Sequence, residues 1–221
     1  MDSSTNHQAW AERSGEFSPT YYAHLGPNKV SRSLVTLLDH SVAADASILE
    51  VGCSSGRHLA HLMENGFENL TGIDINDESF EVMADSYPAL AEAGAFHTGA
   101  IERLVPEFAD DTFDVVYSVE TLQHVHADDE WVFADLARIT SDLLVTIENE
   151  GSSADSTERS ERRTDGADST RTAEDVQFVN GEFPLYCRDW NRVFTDLGLE
   201  ELLCKPSKRD TIRAFRKPDS F

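Results

Sequence analysis

The sequence predicts an α/β domain, a mostly parallel sheet covered by helices on both faces. Three observations carry that expectation. Short apolar runs alternate with helical periodicities from residue 30 to 148. A glycine-bearing turn follows the first apolar run. An acid ends the second.

The elements are read in order. Residues 1–28 are polar and mixed, with an aromatic group at Phe17, Tyr21 and Tyr22, and are taken as an N-terminal extension able to act as a lid. Leu34, Leu37, Leu38 and Val42 then recur at three- and four-residue spacing, the mark of an amphipathic helix. Ser47 to Val51 reads as a buried strand. Arg57 to Asn65 reads as a helix stopped by Gly66. Asn69 to Ile73 is a second strand ending at Asp74, and a helix through Phe80, Met83, Ala84 and Tyr87 runs up to Pro88. Ala95 to Thr98, Phe113 to Ser118 and Leu143 to Ile147 are further strands, with a helix over Glu130 to Ile139. Residues 149–175 are so polar that they read as a flexible insertion. Asp189 to Leu197 is a helix stopped by Gly198, and residues 199–204 and 211–215 form a closing hairpin. The main domain spans residues 29–221.

Composition narrows the function. The chain has 221 residues and 41 acids against 18 bases, a formal net charge of −23, with four lysines. Such a field repels nucleic-acid backbones and anionic membranes, so neither DNA nor a membrane is expected as a partner. No apolar run reaches the ~20 residues of a membrane helix, and residues 1–16 lack the apolar centre of a secretion signal. The expected location is the cytoplasm. The excess of Asp and Glu over Lys resembles haloarchaeal cytosolic proteins, where strong salt screens the repulsion to roughly 3 Å at 1 M. Cys53, Cys187 and Cys204 have neither metal-ligand spacing nor an even count for disulfides.

The turn after the first strand carries the chemistry. Glu50-Val51-Gly52-Cys53-Ser54-Ser55-Gly56-Arg57 fails the dinucleotide pattern Gly-x-Gly-x-x-Gly at Ser54 and Arg57. Glu50 would also repel a pyrophosphate there, whereas it suits a ligand bearing an ammonium and a sulfonium. The turn resembles motif I of class I methyltransferases, acid-x-Gly-x-Gly-x-Gly, with Ser54 in place of the middle glycine. Asp74 lies eighteen residues after Gly56, where a carboxylate can accept ribose hydroxyls. After the third strand the family presents Gly-Asp-Ala, its Asp holding the adenine amine. This chain has Gly99-Ala100-Ile101-Glu102, so the backbone of Ala100 and Ile101 is assigned to the adenine instead. Phe113 to His124 resembles the family's apolar strand followed by a Leu-x-His turn.

The resemblance covers roughly residues 46–148. It implies a Rossmann-like seven-stranded sheet with the last strand antiparallel, S-adenosyl-L-methionine as cofactor, S-adenosyl-L-homocysteine as product, and a small-molecule methyl acceptor. Cofactor contacts are expected from Glu50, Gly52, Cys53, Ser54, Gly56, Asp74, Ile75, Ala100, Ile101, Ser118 and Val119. His124 is the candidate base and competes with a purely packing role. Substrate contacts are expected from Tyr21, Tyr22 and Glu148, the last weighed against a solvated loop. His124 and His126 alone are two ligands without a third, so no metal is expected. The alternatives are a non-catalytic binding module for the same cofactor and a protein or tRNA methyltransferase.

Overall fold

The computed structural model describes residues 1–151, 173–179, 183–207 and 209–218. Nine helices are described, numbered α1–α9 in chain order. The first three, Ser3–Ala11, Pro19–Leu25 and Lys29–Asp39, precede the sheet. Then β1 (Ser47–Val51), α4 (Arg57–Glu64), β2 (Asn69–Asp74), α5 (Glu78–Ser86), α6 (Pro88–Ala93) and β3 (Ala95–Thr98) alternate. Next come α7 (Ile101–Leu104), β4 (Phe113–Val119), α8 (Val132–Ile139) and β5 (Thr140–Glu148). A separate hairpin, β6 (Ala173–Val179) and β7 (Phe183–Arg188), leads into α9 (Trp190–Asp196), β8 (Glu200–Pro206) and β9 (Thr211–Arg216).

The seven-stranded sheet has the order β3-β2-β1-β4-β5-β9-β8. Strands β1 to β5 pair in parallel, and β9 runs antiparallel to both neighbours. The expected fold is therefore the observed one, including the closing hairpin. Strand order reverses between β1 and β4, which is where a ligand crevice opens in such sheets.

Each strand's alternating side chains feed two apolar layers. Leu49, Val51, Val116 and Leu144 pack with Phe133 and Leu136 of α8 and Trp190 and Phe194 of α9. Ile48, Val115, Tyr117 and Val145 pack with Leu34 and Leu38 of α3 and Leu59 and Leu62 of α4. Both faces of β1 are filled, so it reads as a continuous apolar run interrupted by Glu50 alone.

Besides the short helices α6 and α7, three elements escaped the sequence. Helix α1 has no apolar stripe. It starts because the Asp2 carboxylate accepts the Thr5 amide N–H, and α2 starts on Ser18 in the same manner, with Pro19 in its first turn. The β6–β7 hairpin is the third. Its first residues, 173–175, fall inside the stretch expected to be a flexible insertion, so the strand begins earlier than that reading allows. Pairing with β7 supplies the order that residues 173–175 lack by themselves. The rest of the proposed insertion, from residue 152 to 172, lies outside the described residues.

Candidate active site

A cavity of ≈ 190 Å³, open at its mouth, lies over the carboxyl ends of β1, β2, β3 and β4. Of the residues expected to hold a cofactor, Glu50, Gly52, Cys53, Ser54, Asp74, Ile75, Ala100, Ile101 and Val119 all line it. Tyr22 and His124 line it too.

The β1 turn is built on positive φ at Gly52 (71°), Ser54 (49°) and Gly56 (77°). A Cβ on Gly52 would lie 2.2 Å from the Thr121 hydroxyl, so the glycine lets the β4 loop close against the turn. Gly56 acts elsewhere. It caps α4, and a Cβ there would meet Met83 Cε at 2.7 Å, in the apolar layer away from the cavity. Its expected cofactor contact is corrected to a packing role.

Glu50 is fully buried, and the Tyr117 hydroxyl donates to it at 2.9 Å from the neighbouring strand. Burial pushes its carboxyl up to about 8, with the Tyr117 hydroxyl and the Arg57 guanidinium pulling the other way. Arg57 is itself buried, its guanidinium 4.6 Å from the centre of the Tyr22 ring. Tyr21 packs edge-on to Tyr22 and does not line the cavity, so its expected substrate contact is not realised.

Asp74 accepts the Ser54 amide at 2.8 Å on one oxygen, and the Asn76 amide (2.9 Å) and Ser79 hydroxyl (3.1 Å) on the other. Three of its roughly four acceptor positions are thus taken, leaving room for one ribose hydroxyl rather than two. Burial raises its pKa, partly offset by those same donors.

The β4 loop is clamped from both sides. Glu148, fully buried, accepts the Ser118 hydroxyl at 2.6 Å and the backbone amides of Thr121, Leu122 and Gln123 at 3.1–3.2 Å. Arg188 of β7, also fully buried, donates to the carbonyls of Leu122 (3.2 Å) and Val125 (2.7 Å) and to Glu130 (3.0 Å). The expected substrate contact of Glu148 and cofactor contact of Ser118 are corrected accordingly. Both spend their polar atoms holding this loop, and neither lines the cavity. Burial lifts the Glu148 carboxyl to about 7 against the pull of its four donors.

His124 sits at the end of that loop. Its Nδ1 lies 2.8 Å from the Pro184 carbonyl, which can only accept, so Nδ1 carries the proton and Nε2 is the acceptor. The Gln123 amide reaches Nε2 at 3.4 Å, while its oxygen takes the Asn149 N–H at 2.8 Å. Burial pushes the imidazole pKa down to about 4, so the ring is neutral at ordinary pH.

The expected N-terminal lid named no residue before Phe17, and the sequence missed those that roof the cavity. Helix α1 and its following turn place Asn6, His7, Trp10, Arg13 and Phe17 on the cavity. Trp10 packs on His124 (4.7 Å) and Phe183 (4.3 Å), and Asn6 donates to the His124 carbonyl at 2.8 Å. The Asn76 amide ties down the carbonyls of Trp10 and Arg13. Only the aromatic content of this segment hinted at such a role. Several buried polar atoms on the lining residues have no hydrogen-bond partner: Asn6 Oδ1, Trp10 Nε1, His58 Nε2 and Glu102 Oε2. Unspent donors and acceptors around a cavity fit a polar ligand with groups of both kinds. His7, Glu102 and Asp129 also bring ligand atoms within 4.8 Å of one another, and Asp129 is engaged by the Ser3 hydroxyl.

Comparison with known proteins agrees with this geometry. Residues 49–142 match the family model described as a methyltransferase domain. An O-methyltransferase of Penicillium expansum is 31% identical over 99 residues, which is 45% of this chain and 36% of the relative. The lysine methyltransferase 2 acting on EEF1A in Mus musculus is 30% identical over 69 residues, 31% of this chain and 28% of that protein. The chain thus spans about a third of the length of the curated relatives it matches. Among solved structures, magnesium protoporphyrin IX methyltransferase from Synechocystis, with bound S-adenosylhomocysteine, superposes with a TM-score of 0.62 at 12% identity. That match covers 97% of this chain and 94% of the other.

Proposed function

We propose that the chain is a class I S-adenosylmethionine-dependent methyltransferase that transfers a methyl group from S-adenosylmethionine to a small-molecule acceptor, a reading supported by the match of residues 49–142 to a methyltransferase domain. One observation carries the reading. A single cavity gathers Glu50 and Gly52 at the end of β1, Asp74 and Ile75 at the end of β2, and Ala100 and Ile101 after β3, with His124 facing them from β4. In that order the residues suit a positively charged amino-acid end, a ribose and a base.

The cofactor supplies a methyl group already activated on a sulfonium. The protein then has to orient the acceptor and exclude water. Glu50, protonated in the apoprotein, can ionise against the ammonium, and the exposed turn backbone at Gly52 permits close approach. Trp10 and His124 form an aromatic wall on the acceptor side, with Phe183 packed behind Trp10, and Tyr22 also lines the cavity. His124, neutral with its Nε2 acting as acceptor, receives a hydrogen bond from an acceptor hydroxyl by exchanging the long Gln123 contact. With a pKa near 4 it orients that hydroxyl better than it stores the proton.

The acidic surface supports a small uncharged or cationic acceptor over nucleic acid, and suits a cytoplasmic protein adapted to concentrated salt. Calorimetry with S-adenosylhomocysteine and label transfer from methyl-labelled cofactor test the proposal. Label is expected in a small-molecule fraction of a metabolite extract. Label in protein or RNA alone would overturn the acceptor class, and absence of cofactor binding would overturn the whole reading. Adaptation to salt predicts loss of the circular dichroism signal between molar and millimolar salt, and an unchanged spectrum counts against it.

A further inference from the structure

Strands β1, β2 and β3 are neighbours in the sheet, so the cavity floor runs in one direction. The cationic end of a nucleoside cofactor belongs at Glu50 and its ribose at Asp74. Its base then belongs beyond, at the carboxyl end of β3 and the start of α7. Ala100, at that end, has no side-chain acceptor. Glu102, two residues on in the first turn of α7, does.

The state of the Glu102 carboxylate is unusual. Its side chain lines the cavity and is nine-tenths buried. Its Oε2 accepts no hydrogen bond, although His7 Nε2 of the roof helix lies 3.3 Å away. A buried carboxylate oxygen that no donor reaches with good geometry leaves an acceptor position open. It is therefore a site that a ligand's donor satisfies. An adenine ring carries ring-nitrogen acceptors but a single hydrogen-bond-donating group, its exocyclic amine. A carboxylate at the base end matches that group and repels the ring nitrogens. His7 Nε2 holds the carboxylate in place, and that contact raises the His7 pKa.

Building on the cofactor assignment above, we propose that Glu102, held by His7 of α1, accepts the adenine amine and selects an adenine nucleoside in place of the side chain that Ala100 lacks. Asn6, whose Oδ1 is also buried without a donor, is the rival acceptor on the same roof helix.

The test is a ratio of binding constants measured by calorimetry on the full chain. The two ligands are S-adenosylhomocysteine and its 6-deamino analogue, in which purine replaces adenine. The wild type is expected to prefer the amine-bearing ligand by about 10- to 100-fold, the usual discrimination when a buried acceptor loses its donor. Glu102→Ala should bring the ratio close to one by weakening the amine-bearing ligand while leaving the analogue's affinity unchanged. Glu102→Gln, whose amide oxygen still accepts, should restore part of the preference. General damage to the site would weaken both ligands together and leave the ratio intact. A wild-type ratio retained in Glu102→Ala overturns the proposal, as does a ratio lost in Asn6→Ala instead. Equal binding of the two ligands by the wild type overturns it while leaving the methyltransferase reading standing. Binding of neither overturns both.

Discussion

The two walls of the cavity are made in different ways. The floor, Glu50 to Ser54 and Asp74 to Asn76, is built from two adjacent strand ends and the turns that leave them. Its bonds are short-range in space, such as the Ser54 amide on Asp74 and the Asn76 amide on the same carboxylate. The facing wall, Trp10 and His124 backed by Phe183, draws on α1, the β4 loop and the β6–β7 hairpin, segments far apart in the chain. It is held by two buried charges, Glu148 on the loop's amides and Arg188 on its carbonyls. A floor of this kind recurs wherever one nucleoside must be bound, whereas a wall of this kind is free to change with the acceptor.

The largest expected effect breaks the wall. Arg188→Ala strands the carbonyls of Leu122 and Val125 and one partner of Glu130, and should cost about 3–5 kcal/mol of stability in denaturant unfolding. A loss below ~1 kcal/mol would show that the loop is held by apolar packing alone. A second substitution separates the two regions. Gly52→Val forces a side chain into Thr121 at a backbone φ of 71°, and should lower S-adenosylhomocysteine affinity by more than ~100-fold, about 3 kcal/mol. Asp74→Ala should lower it by about tenfold, since one acceptor position is left for the ribose. Glu148→Ala should act chiefly on stability, and equal effects of Asp74→Ala and Glu148→Ala on cofactor affinity would mean that the floor and the wall are not separable.

A further effect is in pH. Burial raises the native pKa of Glu50 to about 8 and of Glu148 to about 7, above the value each has in an unfolded chain. The folded protein then binds more protons than the unfolded one between about pH 4.5 and 8. The contribution of these two groups to stability is therefore fully present below about pH 4.5 and lost as pH rises through 7 and 8. In unfolding titrations, Glu50→Gln should flatten the decline between pH 5 and 8 by on the order of 2 kcal/mol. An unchanged slope would place the ionised form of Glu50 in the apoprotein.

The same division explains what was legible. Positions such as Gly52, Ser54 and Asp74 announce themselves because a tight turn after a buried strand admits few residues, and an acid at a strand end stands out in an apolar run. Gly56 was misassigned for a related reason. Positive φ selects glycine whatever lies beyond it, and here that is Met83 and Leu90 rather than a ligand. Glu148 looked like any acid after a strand. Only its burial against three amides reveals that it is a clamp. Trp10 and Arg13 were unreadable because α1 has no apolar periodicity, its order coming from contacts with Asn76, His124 and Phe183.

What the sequence determined alone is the alternation of strands and helices, the sheet's parallel core and the cavity-lining turns. Those follow from side-chain periodicity and backbone sterics, which act between near neighbours. Tertiary structure decided the roof, the clamped loop, the protonation of His124 and the pairing of Glu102 with His7. Each of these depends on which distant groups share a buried space, because the cost of an unpaired charge or hydrogen bond is set by burial and partners that no local pattern encodes.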